Sequence, residues 1–389
     1  MAFFPDTYFE ANGVATLSRH LVQFAKKCNY PLLIVRGGSK TGSTRDGSVE
    51  FLDLQRSLFS FPLDQSLHFD PFLSRYKNLV ADRLNEFKPD LVHMTGPGDL
   101  GFLALLVSHM VHVPLVASWH TNLHEYLARR LDRALHFWPA KLRRSASNMV
   151  EQQSLRGLVR FYQTSRFVFA PNQEQADMLQ AKTGKQAFLM PHGVDLDSYH
   201  ITPKSLEESR PFCIGYVGRL TTEKNVRFFA ELERSLIARG ENNFRFLIVG
   251  EGNQQRWLEE NMRRAEFTGL LRGKQLSAAY NRMDAFVFPS TTDTFGLVVL
   301  EAMASGLPVI LSPQAGLRVG VRDGVSGFLS ADFAASLQLL MRDRALLHTM
   351  SCSAREFAIR HSWDAVFEQL YTAYAQGLAT LTNAVTTSI

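Results

Sequence analysis

Two cations follow the first strand of the second half of the chain. The run Gly215-Tyr-Val-Gly-Arg219 ends an apolar strand, and Lys224 comes five residues after Arg219, where a helix is predicted to begin. The N–H groups of a first helical turn have no intrahelical acceptor and attract anions. Arginine adds a planar fork of donors and lysine a point charge, so the pair suits a diphosphate. The competing interpretation is that both residues are solvated surface charges. Their position directly after a buried strand weakens that interpretation.

Two carboxylates and a glycine follow a later strand. Asp293 lies in the predicted loop, Gly296 leads into a helix, and Glu301 lies in that helix, eight residues after Asp293. Carboxylates facing one pocket would accept hydrogen bonds from a polyol, and the N–H groups of Gly296–Val298 are donors at a helix start. Alternatively, Asp293 caps the helix and Glu301 is a surface charge. Because the neighbours of Glu301 in this helix are apolar, we expect it to be functional or paired.

Two positions in the first half could also contact a ligand. His120 lies just after the end of the predicted strand Val113–Ser118, where its ring could donate, accept or relay a proton. Gly13 follows Asn12 at the start of a helix, where backbone N–H groups could touch a phosphate. A histidine satisfied within the core and a glycine that eases a turn are the simpler interpretations of these two residues.

The run Gly250-Glu-Gly252 invites a dinucleotide interpretation. It lacks the third glycine of the G-x-G-x-x-G fingerprint, and it follows the second strand of its half, whereas the fingerprint belongs after the first. We therefore discount a hydride-transfer enzyme.

The elements that must position these residues alternate between short apolar strands and helices, a pattern typical of parallel sheets covered on both faces. The predicted strands are Ala2–Phe4, Pro31–Val35, Asp90–Met94, Val113–Ser118, Phe167–Ala170, Ala187–Met190, Phe212–Val217, Phe244–Val249, Ala265–Thr268, Ala285–Phe288 and Pro308–Leu311. Helices are predicted over Val14–Lys27, Leu100–Met110 and Asn225–Arg239, among others. The sequence thus predicts an α/β fold of doubly wound units.

The alternation pauses at the polar, proline-containing stretch 199–211, which is typical of an interdomain linker. We predict two Rossmann-like domains, residues 1–198 and 199–362, that face each other across a cleft. Ligands of such sheets bind beyond the carboxyl ends of the strands, so the cleft is the expected site.

Composition narrows the class of protein. With 389 residues, 46% hydrophobic, 20% charged and only 3 Cys, the chain is neither globally disordered nor a disulfide scaffold. The start of the chain has no basic segment followed by an apolar one, so no signal peptide is predicted. The uncharged stretch 100–119 contains His109, His112 and Pro114, and it predicts a buried helix and strand rather than a membrane span. We therefore expect a protein of the cytoplasm.

The net charge of +5 is unevenly distributed. Between Arg129 and Arg166 there are nine basic and two acidic residues, mixed with Leu, Phe and Trp. No nucleic-acid-binding motif accompanies them. The segment could meet the anionic inner face of a membrane, and a solvated helix pair or an oligomer contact is an equal alternative.

Taken in order, these motifs resemble glycosyltransferase family four, the retaining, nucleotide-sugar-dependent enzymes of the GT-B fold. The resemblance extends from Pro5 to about Gly377. Its strongest parts are Asp293–Gly306 and Gly218-Arg219 followed by Glu223-Lys224-Asn225. Weaker parts are Asn12-Gly13-Val14, Trp119-His-Thr-Asn122, Pro191-His-Gly-Val-Asp195 and Asp323–Phe328.

The resemblance implies a role for each site residue. Gly218, Arg219 and Lys224 would hold the donor diphosphate, so no metal would be required. Glu301 would bind the ribose hydroxyls, and Asp293, where the family usually has Glu, would touch the transferred sugar. The remaining residues would line the base (Thr268, Leu270, Leu271), present N–H groups (Phe295, Gly296, Leu297), or approach the anomeric centre (His120) and the diphosphate or acceptor (Gly13). The first domain would bind the acceptor and the second the nucleotide-sugar donor. The last helix, about 363–378, would pack back on the first domain.

The implied function is transfer of a glucose- or mannose-type hexose from a nucleoside-diphosphate sugar to an acceptor hydroxyl. Relatives with similar His-Thr-Asn segments include mannosyltransferases and enzymes that glycosylate lipid or polyprenyl carriers, so a glycolipid acceptor and peripheral membrane association are expected. Double displacement would need a carboxylate nucleophile, and no convincing one is evident in the first domain. Front-face attack, in which the leaving phosphate takes the acceptor proton, is the favoured course. An epimerase or phosphorylase of the same architecture, or a non-catalytic binding protein, stays as an alternative.

Overall fold

The computed structural model describes residues 1–10, 12–64, 67–120, 140–201, 210–290, 296–313 and 321–386. The chain forms two compact units, one of Met1–Pro191 with Val366–Ile389 and the other of His192–Ala365. Each unit is built around its own sheet, as the sequence predicts.

The sheet of the first unit is parallel except at one edge. Its strands are β1 (Ala2–Phe4), β2 (Leu32–Gly38), β3 (Gly42–Asp46), β4 (Val49–Gln55), β7 (Val92–Met94), β8 (Leu115–Ser118), β9 (Val168–Ala170) and β10 (Ala187–Leu189), while β5 (Phe61–Asp64) and β6 (Leu67–Phe69) form a separate antiparallel pair. The order is β10-β9-β8-β7-β1-β2-β4-β3, and β3 alone pairs antiparallel. The central strand β1 is fully buried, which matches its uninterrupted apolar sequence.

The described helices of the first unit lie between these strands. They are α1 (Gly13–Lys27), α2 (Lys77–Phe87), α3 (Asp99–Met110), α4 (Ala140–Gln163) and α5 (Gln173–Thr183), with a 3₁₀ turn at Leu73–Tyr76. Asn12 caps α1 by accepting a hydrogen bond from Ala15 N at 2.9 Å. In its apolar face, Leu17, Leu21 and Phe24 are buried at helical spacing.

The second unit has a six-stranded parallel sheet in the described residues, with the order β13-β12-β11-β14-β15-β16. The strands are β11 (Phe212–Val217), β12 (Phe244–Val249), β13 (Ala265–Phe267), β14 (Ala285–Phe288), β15 (Val309–Leu311) and β16 (Gly327–Leu329). The described helices are α6 (Phe228–Ala238), α7 (Gln255–Asn261), α8 (Gly273–Arg282), α9 (Leu297–Ala304), α10 (Phe333–Arg342) and α11 (Arg344–Arg360), with a 3₁₀ turn at Thr222–Lys224. This order is that of a doubly wound nucleotide-binding sheet. The strand order reverses between β11 and β14, while all of the strands stay parallel.

The units divide at Pro191 and His192, earlier than the predicted boundary at 198. The reason is a set of contacts that tie residues 192–199 to the second unit. Val194 N donates to His361 O at 3.0 Å, and the Ser277 hydroxyl donates to the carbonyl of Ser198. The second unit therefore begins at His192, within the turn-like segment that the sequence places before the linker.

The last helix, α12 (Trp363–Thr386), leaves the second unit after Ala365 and belongs from Val366 onward to the first. Phe367 packs against Phe24 with ring centroids 5.5 Å apart, and the Tyr374 hydroxyl hydrogen-bonds to the ring of His93. Gly377 lies so close to Phe167 that a Cβ would approach its ring to 2.4 Å. The helix continues to Thr386, beyond the predicted end near 378.

Strands β3, β4, β5, β6 and β16 have no counterpart among the predicted strands. The sequence of β3 is Gly-Ser-Thr-Arg-Asp, and every one of its residues is exposed, so it lacks the apolar pattern from which strands are recognised. It pairs with β4 as an edge strand, where such a composition is tolerated. In the described part of the chain, no helix is long and apolar enough to cross a membrane.

Candidate active site

Three loops at the carboxyl edge of the second sheet hold one another by backbone hydrogen bonds. Gly218, after β11, donates to Val249 O at 3.0 Å, and Leu220 N donates to Glu251 O at 2.9 Å. Gly250, after β12, donates to the carbonyl of Gly269, after β13, at 2.9 Å. The ends of β11, β12 and β13 therefore form one connected rim.

The two glycines of the discounted dinucleotide motif build this rim. A Cβ on Gly250 would lie 2.0 Å from Gly218 O, and a Cβ on Gly252 would lie 2.2 Å from Leu220 O. The backbone of Gly250 also has φ +133°, in the region that favours glycine. The motif thus lets the β12 loop pack against the β11 loop that carries Arg219.

Arg219 lies on this rim with 71% of its side chain exposed, and its guanidinium is 2.8 Å from the carboxylate of Glu223. The Tyr216 hydroxyl donates to Arg219 O at 3.1 Å, which fixes the backbone at this point. Contrary to the prediction, Lys224 does not begin a helix. It ends the 3₁₀ turn that begins at Thr222. Asn225 then adopts a left-handed conformation, φ 54°, which interrupts the chain before α6 begins at Phe228.

Arg219 and α9 lie on either side of the point where the second sheet reverses. Strand β11 neighbours both β12 and β14, and Arg219 follows β11 while the segment leading to α9 follows β14. Crevices at such a reversal are where doubly wound sheets bind ligands. The fold therefore places the cations and the helix with Glu301 at one edge of the sheet.

Glu301 is held by two tyrosines. The Tyr280 hydroxyl, fully buried on α8, donates to Oε2 of Glu301 at 2.8 Å, and the Tyr199 hydroxyl donates to the same carboxylate. Burial raises the pKa of Glu301, and the two hydrogen bonds oppose that shift. Burial and the Glu301 charge also raise the pKa of both tyrosines, so each stays a donor. Two of the carboxylate's acceptor positions are thus used, and others can receive ligand hydroxyls.

Glu301 is paired, which is one of the two outcomes that the sequence predicts. Its partners, Tyr199 and Tyr280, were not identified from the sequence. Tyr199 is about one hundred residues before Glu301, and Tyr280 reads as a core residue of an amphipathic helix. The available signal was the apolar setting of Glu301, which demands a donor.

Gly296 adopts φ 56° immediately before α9, a left-handed conformation that glycine enters without strain. Leu297 is the first residue of α9, so its N–H is among those without an intrahelical acceptor. Asp293 and Phe295 lie outside the described residues.

The three residues expected to line a base follow β13. Thr268 is half-buried and its N donates to Ile248 O at 3.1 Å. Leu271 packs partly buried on the core of the second unit, whereas Leu270 is 55% exposed. Leu270 N donates to the carboxylate of Glu251 at 3.3 Å, which links this segment to the same rim.

Gly13 and His120 lie in the first unit. Gly13 is the first residue of α1, directly after the Asn12 cap. His120 follows β8, and its Nε2 is 2.7 Å from the Ser118 hydroxyl. Both lie after strands or at a helix start, as predicted, and their contacts with a substrate stay predictions. Among the described residues, no three His, Cys, Asp or Glu side chains are grouped as metal ligands would be.

Comparisons with known proteins support one family. Residues 11–198 match the family model described as Glycosyltransferase Family 4, and residues 211–343 match the one described as Glycosyl transferases group 1. A GDP-mannose-dependent alpha-mannosyltransferase of Corynebacterium glutamicum is 26% identical over 394 residues, which cover 97% of this chain and 88% of that protein. A protein of the same description from Mycolicibacterium smegmatis is 30% identical over 310 residues, 75% of this chain and 74% of that protein.

Solved structures agree on the fold. The sucrose-phosphate synthase from Thermosynechococcus elongatus superimposes with a TM-score of 0.67 at 19% identity, over 97% of this chain and 99% of that one. The resemblance drawn from the motifs is confirmed: the chain belongs to glycosyltransferase family 4, and it is a glycosyltransferase with the GT-B fold.

Proposed function

We propose that the protein transfers a hexose from a nucleoside-diphosphate sugar to an acceptor hydroxyl, and that this hexose is a mannose-type sugar. The observation that carries this proposal is the placement of Arg219 and of the Glu301 helix at the reversal point of the second sheet. The relatives described as GDP-mannose-dependent mannosyltransferases support a GDP-mannose donor.

Different residues of the second unit bind different parts of the donor. Arg219 and Lys224 attract the diphosphate and stabilise the charge that grows on it as the glycosidic bond breaks. Glu301 accepts hydrogen bonds from the ribose hydroxyls, and Asp293 touches the sugar. Because these cations neutralise the leaving group, transfer requires no metal ion.

Transfer proceeds with retention by front-face attack. The acceptor oxygen bonds to the anomeric carbon, the bond from that carbon to the diphosphate breaks, and its electron pair leaves with the phosphate. The acceptor proton passes to that phosphate. We expect His120 to assist at the anomeric centre as a hydrogen-bonding group.

The acceptor is the hydroxyl of a lipid or glycolipid, which the protein meets as a peripheral protein at the inner face of the membrane. The support is the basic segment between Arg129 and Arg166, of which residues 129–139 lie outside the described part. In α4, which continues that segment, Arg156 and Arg160 are exposed one turn apart, and Met149 is 63% exposed. Exposed cations beside apolar groups favour an anionic lipid surface.

The donor assignment is tested by replacing the two cations. Arg219→Ala and Lys224→Ala should each lower transfer from GDP-mannose, by on the order of 10²-fold, because each removes charge stabilisation from the leaving diphosphate. Transfer is followed as GDP release and as labelled glycoside product. A melting-temperature screen of GDP-mannose, GDP-glucose and UDP-glucose identifies the base and the sugar, since ligand binding stabilises the folded state.

The control is Arg256→Ala. Arg256 is an exposed arginine on α7 of the same unit, and it pairs with Glu260 four residues on, as Arg219 pairs with Glu223. It should transfer as the wild type does. Undiminished transfer by either Arg219→Ala or Lys224→Ala would refute the diphosphate assignment.

A further inference from the structure

Asp6 occupies, in the first unit, the place that Arg219 occupies in the second. The first sheet reverses direction at β1, which lies between β2 and β7. Asp6 follows β1 by two residues, and Gly96 and Gly98 follow β7. The crevice at this reversal is the expected ligand position of a doubly wound sheet.

The fold makes room for the Asp6 carboxylate. Its backbone N–H donates to the Thr95 hydroxyl at 2.8 Å, and the N–H of Gly98 donates to the carboxylate. A Cβ on Gly96 would lie 2.3 Å from Oδ2 of Asp6, and a Cβ on Gly98 would lie 2.4 Å from Oδ1. Any larger residue at either position would expel the carboxylate.

The nearby Asp99 has its hydrogen-bonding capacity occupied. It pairs with Arg56, and it accepts hydrogen bonds from the backbone N–H groups of Asp70 at 2.9 Å and Leu100 at 2.8 Å. By contrast, Oδ1 of Asp6 is enclosed and accepts no hydrogen bond from the described residues. A buried acceptor without a donor is rare in folded proteins and calls for a functional explanation.

The charges around Asp6 favour its protonated form. Burial and the like charge of Asp99 raise the pKa of Asp6 to about 7, against the opposing effects of Gly98 N–H and Arg56. Tyr162, on α4, faces Asp6 as well, and its hydroxyl donates to Ser118 O at 3.2 Å. Asp6 therefore changes its charge near neutral pH.

We propose that Asp6 is an acceptor-binding residue, whose carboxylate accepts a hydrogen bond from a hydroxyl of the polyol acceptor and holds that acceptor for attack. The proposal rests on the proposed function, and it assigns the binding of the acceptor to the first unit. His120 follows β8, the strand next to β7, so Asp6 and His120 lie at the same edge of this sheet. The leaving phosphate still takes the proton of the attacking hydroxyl, so Asp6 orients the acceptor without taking part in bond exchange.

The first test is Asp6→Asn, which keeps the size of the side chain and an oxygen for Gly98 N–H but removes the charge. The assay uses GDP-mannose with methyl and octyl α-glucosides and α-mannosides, and the acceptor that the wild type turns over fastest is used throughout. We expect KM for the acceptor to rise by about 10- to 100-fold, the effect of losing a hydrogen bond to a charged group. The melting-temperature shift caused by GDP-mannose should not change.

The second test is the pH profile. For the wild type, kcat/KM for the acceptor should rise as pH passes through about 7, because the ionised carboxylate is the better acceptor. Asp6→Asn should lose this rise. Asp99→Asn removes the like charge, so the rise should move to lower pH, a response that a purely structural Asp6 would not give.

Retention of the wild-type acceptor KM and of the rise near pH 7 by Asp6→Asn, with an unchanged melting temperature, would overturn the assignment. A wild-type protein that transfers no sugar from GDP-mannose to the four glycosides or to a membrane lipid extract would instead contradict the proposed function. The two failures are therefore distinguishable.

Discussion

The hydroxyls of Tyr199 and Tyr280 converge on Glu301 from two different elements, and they decide in which form that carboxylate meets a ligand. Burial raises the pKa of Glu301, and the two hydrogen bonds favour its ionised form. The ionisation of the carboxylate that we propose for ribose binding thus depends on two neighbouring hydroxyls. In the first unit, Asp99 accepts hydrogen bonds at both of its oxygens, whereas Oδ1 of Asp6 accepts none from the described residues.

Removing one hydroxyl should make the proposed donor site more sensitive to acid. In Tyr280→Phe, Glu301 loses the donor at 2.8 Å, so its pKa should rise further and less of it should be ionised at neutral pH. The affinity for GDP-mannose should fall severalfold at pH 7, and the loss at low pH should begin at a higher pH than in the wild type. Calorimetric titration at several pH values measures both, and Glu301→Gln should bind weakly without this pH dependence.

A matched control is available in the first unit. Tyr374 is also a buried tyrosine, whose hydroxyl bonds to His93. Tyr374→Phe should cost about 1 kcal/mol of stability but leave the pH dependence of donor binding unchanged. The same pH dependence in wild type and Tyr280→Phe would show that the tyrosines do not tune Glu301.

At the scale of elements, the rim of the second sheet depends on close approach between neighbouring loops. The loop after β12 touches the loop after β11 at two glycines, and the β12 loop in turn bonds to the segment after β13. This arrangement explains a glycine pattern that resembles a dinucleotide motif without the third glycine. These glycines allow the β12 loop to support the loop that carries Arg219.

We expect Gly252→Ala to separate these loops. The new Cβ would lie 2.2 Å from Leu220 O, so the β12 loop must move away and its bond to Leu220 N must weaken. The free energy of unfolding should fall by about 1–3 kcal/mol, and GDP-mannose should bind more weakly. Urea unfolding and calorimetric titration measure the two effects.

Gly157→Ala provides the comparison, because Gly157 lies in α4 with nothing within 4 Å of an added Cβ. There alanine should be neutral or should stabilise the helix by up to about 1 kcal/mol. Equal stability and donor affinity in Gly252→Ala and the wild type would contradict the role given to the rim.

At the scale of the whole molecule, the basic segment of the first unit predicts binding to an anionic membrane surface. If the exposed face of α4 contacts anionic lipid, the protein should sediment with vesicles of phosphatidylglycerol and phosphatidylcholine at low salt. The binding should weaken as salt rises, because screening shortens the range of charge attraction. Arg156→Glu with Arg160→Glu should abolish it.

Arg256→Glu with Arg263→Glu reverses the same number of charges in the second unit, and it should leave vesicle binding intact. Binding to phosphatidylcholine alone would point to apolar contact without charge. If the wild type fails to sediment at low salt, or if both double variants bind equally, the membrane proposal is wrong.

Much of the fold could be predicted because its strands are short apolar runs, and Phe212–Val217, Phe244–Val249 and Ala285–Phe288 have the predicted bounds. The edge strand β3 could not, because an exposed strand carries no apolar pattern. The sequence predicts a helix start at Lys224, whereas the left-handed conformation of Asn225 ends a separate 3₁₀ turn there. Backbone conformation at one residue thus decides where the helix begins.

By itself, the sequence determined the fold class and the family, and it predicts the cations and carboxylates of the proposed donor site, because these depend on local patterns and on residue types in a fixed order. Tertiary structure decided which groups act together. It brought Tyr199 and Tyr280 to Glu301, packed Gly252 against Leu220, and enclosed Asp6 between two glycines. Such contacts join residues far apart in the chain, and only the order of the strands in each sheet sets which ends become neighbours.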